Sequence, residues 1–301
     1  MSGPAGGLPS AAMSALGLDH TGCIVGDLAA GAARWERLGF TLTPLSRQRG
    51  AVPGREGFHP WATANRCAIL GRTYLELIGV VDSDAFNPWA RFIARNEGLH
   101  ICALRCDDAD RAYASLSART DALQPPVPRE RVLDVNGETR TMRFRNIFSR
   151  DERWPEARWL VIEHQTPEYL WQPRYQRHEN GARDLGAVTF VADDPAALRE
   201  RLEALGAAVV SHDARALAGK LPGGGMLRVM QRGVFADVYG FAPSTRTGMH
   251  AMAVAVEDVK AAQMLLEQRG ISLRATAGAV SVAPQDANGC VLQFVQHGET
   301  A

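Results

Sequence analysis

Four stretches of the chain share one pattern of hydrophobic and polar positions. Each stretch starts at a marked position, continues through a short apolar run and reaches an acidic residue about seven positions later. The starting residues are His20, His100, Ala187 and His250, and the acidic residues are Asp27, Asp107, Asp194 and Glu257. Self-similarity at long intervals is the signature of duplicated supersecondary units, so the chain is predicted to contain four copies of one module.

A helix is predicted to begin at each acidic residue. An Asp at this point can accept hydrogen bonds from the free N–H groups of the first turn, and its charge suits the helix dipole. Apolar residues then recur at helical spacing, as Leu198 and Leu202 do in the third copy. Glycines that are typical of helix C-caps follow three of the helices, at Gly39, Gly206 and Gly270.

Three strands are predicted after each helix. In the first copy, residues 67–70 and 73–78 form two apolar runs joined by a turn, and Asn136-Gly137 marks a hairpin in the second copy. In the third copy the glycines at 223–225 are predicted to form a hairpin turn, with residues 234–241 as the last strand. The pattern therefore predicts an α+β fold of four βαβββ modules.

Length and composition narrow the class of protein. The 301 residues suffice for two domains, and 33 basic and 33 acidic side chains cancel, so net charge favours neither nucleic acid nor a membrane as a partner. Five cysteines without a pairing pattern favour reduced thiols and a cytoplasmic location. No apolar run has the length of a membrane span. The sequence leaves a homodimer open.

The predicted organisation has four parts. They are a flexible leader at 1–15, a first domain of two modules at 16–168, a crossing linker at 169–184 and a second domain of two modules at 185–301. The region around the linker is rich in proline and aromatic residues. We expect it to be ordered, because several neighbouring aromatic side chains rarely remain in water.

Histidines and glutamates occupy matched places in the first two modules. The motifs are Leu-Asp-His-Thr at His20, Tyr-Leu-Glu-Leu-Ile at Glu76, Gly-Leu-His-Ile at His100 and Leu-Val-Ile-Glu-His at Glu163. Together with the fourfold repeat, they resemble the glyoxalase-like (glyoxalase, bleomycin resistance and dioxygenase) branch of the vicinal oxygen chelate superfamily. The resemblance implies that the modules pair into two glyoxalase-like domains with curved, mostly antiparallel sheets.

The resemblance also implies a metal centre in the first domain. One divalent ion (Ni, Co, Mn, Fe or Zn) would be bound by His20, Glu76, His100 and Glu163. Strand alternation agrees, if Leu75 and Leu77 lie under the helices and Glu76 faces the hollow side. The same reasoning places Glu163 on the hollow side, opposite Leu160 and Ile162.

Such an ion would keep two adjacent positions open for a small-molecule substrate with two neighbouring oxygens. The ion would stabilise an enolate or enediolate, and Glu76 or Glu163 would move the proton, as in a lyase or isomerase. Two alternatives stay open. One is a metal-free protein that binds or sequesters small molecules, and the other is a non-haem iron extradiol-type dioxygenase using His20, His100 and Glu163.

The sequence also suggests roles for residues outside the four predicted ligands. The equivalents of the four ligands in the second pair of modules are taken to be Ala187, Asp237, His250 and Gln293, which is an incomplete ligand set. A loop before the third strand is expected to contact substrate through His59, Trp61, Asn65 and Arg66. His164 is expected to face a helix or the linker, and His178 to lie at the surface.

Overall fold

The computed structural model describes residues 15–276 and 278–298, without the side chains of 211 and 212. The predicted leader at 1–15 lies outside this range except for its last residue. The described chain forms two sheets of eight strands each, with helices against them. No helix among the described residues is both long and apolar enough to cross a membrane.

The first sheet contains the first two modules. Its elements are β1 (Gly17–Val25), α1 (Leu28–Arg37), β2 (Ser46–Val52), β3 (Arg55–Ile69), β4 (Tyr74–Val80), α2 (Ala90–Arg95), β5 (Gly98–Arg105), α3 (Ala109–Ser117), β6 (Val127–Val135), β7 (Glu138–Phe148) and β8 (Arg158–His164). The strand order is β2-β3-β4-β1-β5-β8-β7-β6. The central pair β1 and β5 is antiparallel, whereas β4 and β8 run parallel to their neighbours β1 and β5.

The second sheet repeats this arrangement. Its elements are β9 (Ala182–Val191), α4 (Arg199–Ala204), β10 (Ala208–Asp213), β11 (Ala216–Lys220), β12 (Met226–Met230), α5 (Arg232–Tyr239), β13 (Gly248–Val256), α6 (Val259–Gln268), β14 (Leu273–Thr276), β15 (Ala279–Val282) and β16 (Val291–Gln296). The order β10-β11-β12-β9-β13-β16-β15-β14 matches that of the first sheet. The predicted α+β fold, with four modules used in pairs and two curved sheets, is confirmed.

The helix starts follow the predicted mechanism with a shift in two modules. The capping carboxylates belong to Asp27, Asp108, Asp194 and Asp258, each of which accepts a backbone hydrogen bond from the first turn. In the second and fourth modules the cap is therefore the residue after Asp107 and after Glu257. Each of these modules has two consecutive acidic residues, and the sequence pattern alone does not show which of the two caps the helix.

The predicted strand at 234–241 is wrong, because this segment is helix α5. Phe235 and Tyr239, four residues apart, are both buried, which is the spacing of one helical face. The helix ends at Gly240, which has a φ of 78° and so takes the left-handed conformation common after a helix. The last strand of the third module is instead β12, and the glycines before it form the predicted hairpin turn.

Apolar side chains cover both faces of the first sheet. One cluster lies beneath the helices and continues into the second sheet, where Trp159 stacks on Phe190 with ring centroids 4.9 Å apart. A separate cluster lies on the hollow face and includes Ile24, Leu160 and Ile162, covered by Trp89 and Phe92 at α2. Hydrophobicity alone therefore does not distinguish the two faces of this sheet.

Candidate active site

A β-bulge at the start of β1 brings two polar residues together. Leu18 pairs with Leu104 and His20 pairs with Ala103, so Asp19 is an extra residue between two consecutive pairs. A bulge interrupts the alternation of side chains and can redirect one of them. Here Oδ1 of Asp19 lies 2.7 Å from Nδ1 of His20, and Asp19 is completely buried.

A second imidazole reaches the same carboxylate. Nε2 of His164, the last residue of β8, lies 3.2 Å from Oδ1 and 3.1 Å from Oδ2 of Asp19. Burial alone would raise the pKa of Asp19, but the charges and hydrogen bonds of His164 and His20 outweigh it and hold this pKa well below its ordinary range. Asp19 is therefore a carboxylate that accepts hydrogen bonds from both rings.

The other side of the His20 ring faces two further polar groups. Its Nε2 is 3.9 Å from Oε2 of Glu76 and 3.5 Å from the hydroxyl of Tyr74, whose ring stacks on the imidazole at 4.2 Å. When Nδ1–H donates to Asp19, Nε2 of the neutral ring is an acceptor and can take a proton. This tautomer is assigned from the hydrogen bonds.

Glu76 is held by a side chain of β3. Nδ2 of Asn65 donates to Oε1 of Glu76 at 2.5 Å, which leaves Oε2 toward His20. The side chain of Glu76 is 12% exposed, against 4% for His20, so solvent reaches this end of the group. Burial, with the charge of Glu76, raises the pKa of the neighbouring Cys67 far above its ordinary value. Cys67 is therefore a protonated thiol rather than a nucleophile.

The linker covers this group of residues. Leu170, Trp171 and Tyr175 pack against Tyr74 and its neighbours on the hollow face. Trp171 meets His164 edge to face, with ring centroids 4.9 Å apart. Nε1 of Trp171 and Nδ1 of His164 are buried without a hydrogen-bond partner, so two polar atoms, one in the linker and one in the sheet, have unused hydrogen-bonding capacity.

The other two predicted ligands have different partners. Nε2 of His100 lies 2.8 Å from the carbonyl oxygen of Asn96, and burial lowers the pKa of His100 to about 4. Oε2 of Glu163 accepts a hydrogen bond from the backbone N–H of Ala109 at the start of α3 and lies 3.6 Å from Nη1 of Arg145. Thus, of the four, the structure brings His20 and Glu76 together.

Strand register explains this separation. Glu76 pairs with Gly22, two residues beyond His20. The last paired residues of β5 and β8 are Arg105 and Ile162. Arg105 is already five residues beyond His100, and Glu163 follows Ile162, so Glu163 lies far along the sheet from His100. Among the described residues, no three His, Cys, Asp or Glu side chains are placed to hold a metal ion. The donors present therefore do not fit the four-ligand centre that the sequence resemblance implies.

The predicted orientation of β8 is also corrected. Trp159 and Val161 belong to the core beneath the helices, and Ile162 belongs to the hollow face. By alternation, Glu163 faces the helix side and His164 faces the hollow side. This reverses the prediction for Glu163, whereas His164 contacts the linker, one of its two expected neighbours. The sequence could not reveal this, because both sets of apolar residues are buried.

Sequence comparison agrees with the fold. A model of the glyoxalase-like domain matches residues 18–206. The chain belongs to this glyoxalase-like family. A comparison with curated proteins finds no match.

Solved structures of similar fold match most of the length of this glyoxalase-like chain. A hypothetical protein from Staphylococcus aureus matches with a TM-score of 0.62 and 11% identity, over 93% of this chain and 99% of that chain. A mutant of 4-hydroxymandelate synthase from Streptomyces coelicolor matches with a TM-score of 0.62 and 13% identity, over 96% and 94%. A fusion of a xylose isomerase-like TIM barrel with 4-hydroxyphenylpyruvate dioxygenase gives 0.55 and 15%, over 95% of this chain and 49% of that chain. At these identities the likeness shows the fold.

The predicted substrate contacts lie on β3 rather than on a loop. Asn65 is at the site, as described. His59 bonds to the carbonyl of Glu56, and Trp61 donates to the carbonyl of Ala51, both within the β2–β3 hairpin. Arg66 donates to the carbonyl of Thr43 and pairs with Glu36 at 2.8 Å. Of these four residues, the structure places Asn65 beside Glu76.

The second sheet of the glyoxalase-like chain keeps the bulge and lacks the polar group. Gly186 is the extra residue between two consecutive pairs of β9. By strand register, the positions of Asp19, His20, Tyr74 and Glu76 are occupied by Gly186, Ala187, Met226 and Arg228. Arg228 thus replaces Asp237 as the equivalent of Glu76, since Asp237 lies in α5. Gln293 corresponds to Leu160 rather than to Glu163.

Proposed function

We propose that this protein is an enzyme that transfers a proton on a small organic substrate, with His20 as the general base. The observation that carries the proposal is the buried Asp19 carboxylate on Nδ1 of His20, with Nε2 directed toward Glu76. A carboxylate in this position fixes the tautomer and stabilises the imidazolium that forms when Nε2 accepts a proton.

The reaction class is removal of a proton next to a carbonyl, as in an isomerase or lyase. Glu76 would act as the second proton-transfer group, because its Oε2 lies 3.9 Å from Nε2 of His20. Asn65 would hold that carboxylate in place through its hydrogen bond to Oε1. The proposal needs no step through the four-ligand metal centre, since the donors do not fit it.

Solvent-deuterium exchange tests the proposal. Small ketones, hydroxyketones and 2-oxo acids are incubated with the protein in D₂O, and loss of the C–H signal is followed by NMR. We expect the wild type to exchange at least one compound. In His20→Gln the exchange rate should fall by about 10²- to 10⁴-fold, which is the typical rate contribution of a general base. The same assay after chelator treatment reports on metal dependence.

His59→Gln is the matched control, because His59 lies in the same sheet, is half-exposed and bonds only to the carbonyl of Glu56 among its described neighbours. Its exchange rate should equal that of the wild type. Equal rates in all three proteins, or no exchange of any compound by the wild type, would refute the proposal.

Binding without turnover is the second candidate function. It is favoured by the aromatic side chains on the hollow face, where Tyr74 and Trp171 lie on one side and Trp89 and Phe92 on the other. Ligand binding by a protein that catalyses no exchange would support it. An iron dioxygenase would instead consume oxygen, and would need His20, His100 and Glu163 to meet at one ion.

A further inference from the structure

An arginine from the far side of the first sheet lies on the hollow face. Residues directly opposed on antiparallel strands share a face, and Arg131 of β6 opposes Met142 of β7. The next pair on that face is Arg129 with Phe144, and Phe144 packs against the hollow-face cluster. Arg129 follows the same face, since its guanidinium lies 5.8 Å from the ring of Phe148.

The guanidinium of Arg131 lies near the candidate active site. Burial raises the pKa of both Tyr74 and Cys67, and the positive charge of Arg131 opposes this rise in each case. The linker runs beside the same strand, because Nη2 of Arg174 is 3.7 Å from Oδ1 of Asp134. Arg131, Tyr74 and the linker therefore border one region.

Arg131 has no hydrogen bond or ion pair from its side chain to any residue that the structure describes, although it is half-buried. Arg145, one strand away, is fully engaged with Asp110. The Arg131 guanidinium is therefore available to bind an added anion. Trp171 provides an independent sign of a missing partner in the same region, because its buried Nε1, which can only donate, also lacks an acceptor.

We propose that Arg131, assisted by the indole N–H of Trp171, binds a carboxylate group of the substrate. The two side chains offer hydrogen-bond donors and a positive charge, whereas a carboxylate offers acceptors and a negative charge, in the planar form that a guanidinium matches. This inference rests on the proposed function in one respect: the carboxylate would place the adjacent carbon of the substrate beside His20. The substrate class is then a small organic acid with an acidic C–H.

Calorimetric titration with matched acid and ester probes tests this inference. Pyruvate and phenylpyruvate are compared with their methyl esters, which keep the shape and lose the charge. We expect the wild type to bind at least one acid more tightly than its ester by about tenfold or more, as expected for a charge-assisted hydrogen bond. In Arg131→Gln this ratio should fall to about one, and Arg131→Lys should give an intermediate ratio because it keeps the charge.

Arg129→Gln is the control, because Arg129 lies on the same face and contacts Phe148 instead. It should keep the wild-type ratio. Circular dichroism checks that each variant is folded, and Arg131→Lys decides the matter if Arg131→Gln is not. A ratio near one in the wild type, an unchanged ratio in both Arg131 variants, or binding of neither acid overturns the inference.

The two proposals fail in different ways. The titration measures binding without turnover, so a carboxylate preference that depends on Arg131 stands even if His20→Gln leaves exchange unchanged. Exchange of neutral ketones that depends on His20, without any preference for acids, would instead keep the proposed function and overturn the role of Arg131.

Discussion

Nε2 of His164 lies 3.1 Å from Oδ2 of Asp19, although 145 positions of the chain separate the two residues. The contact joins the end of β8 to the beginning of β1, with β5 between them in the sheet. It gives Asp19 a second hydrogen-bond donor besides His20. The buried carboxylate is therefore stabilised from both modules of the first sheet, and its orientation toward His20 is fixed.

Replacing Asp19 by Asn should reduce proton exchange by about 10²-fold or more, because the neutral amide cannot stabilise the imidazolium of His20. The pH profile of exchange should also change, since Asn cannot carry the negative charge that the low pKa of Asp19 maintains beside His20. NMR exchange rates across pH measure both effects. Asp121→Asn, a change at an exposed residue paired with Arg153, should leave the profile unchanged; a wild-type profile for Asp19→Asn would contradict the assignment.

The same variant should lose stability. The pKa of Asp19 is lower in the folded protein than in the unfolded chain, so its contribution is complete above the ordinary value of 3.8 and is lost as the pH falls through the folded pKa. Chemical unfolding at neutral pH should therefore show a lower midpoint for Asp19→Asn than for the wild type. The difference should narrow in acid below 3.8, and equal midpoints at neutral pH would contradict the expectation.

The sequence predicted the repeats, the paired modules and, to within one residue, the helix caps, because those features depend on local periodicity. Among its candidate site residues, His20, Glu76 and Asn65 lie together in the structure. It missed Asp19 and His164, since a bulge and the face of β8 are set by strand pairing that no local pattern encodes. The prediction of residues 234–241 as a strand was wrong because a short apolar run is compatible with both a helix and a strand. The cytoplasmic location and the homodimer stay predictions.

Glu76 and Glu163 should respond differently to substitution by Gln. Glu76→Gln should lower exchange by about tenfold or more, because a proton-transfer group is lost. Glu163→Gln should leave exchange unchanged. Glu163→Ala should lower stability by about 0.5 to 2 kcal/mol, since Glu163 supports the start of α3 as a capping residue does. Exchange assays and chemical unfolding measure the two effects. Loss of activity in Glu163→Gln would restore the four-ligand metal hypothesis.

Stability should fall in mild acid because of two buried histidines. Burial lowers the pKa of His100 and of His250 from 6.5 to about 4. Below 6.5 the unfolded chain takes up protons that the folded protein does not, so stability decreases until the pH reaches about 4. The full effect is of order 3 kcal/mol for each residue. Chemical unfolding in a pH series measures it, and the double variant His100→Gln with His250→Gln should show a flatter dependence; an equal slope would refute this cause.

His178 should stabilise the attachment of the linker to the first module. The sequence placed it at the surface, but it is buried, with Nε2 2.9 Å from the carbonyl of Ile69 and Nδ1 accepting from the N–H of Thr41 at 3.1 Å. Burial lowers its pKa, consistent with a neutral ring that donates at one nitrogen and accepts at the other. His178→Ala leaves two backbone groups without partners, so we expect a loss of about 1 to 3 kcal/mol.

Urea unfolding measures this loss, and His59→Ala is the control because His59 makes a single contact on a hairpin. Exchange should fall as well, since the linker carries Trp171 onto the site and a looser linker admits water. If His178→Ala and His59→Ala unfold at the same urea concentration, the linker is held by its other contacts, among them those of its apolar side chains with Cys67, Ile69 and Tyr74. In that case Trp171→Ala, rather than His178→Ala, should expose the Asp19 and His20 pair to solvent.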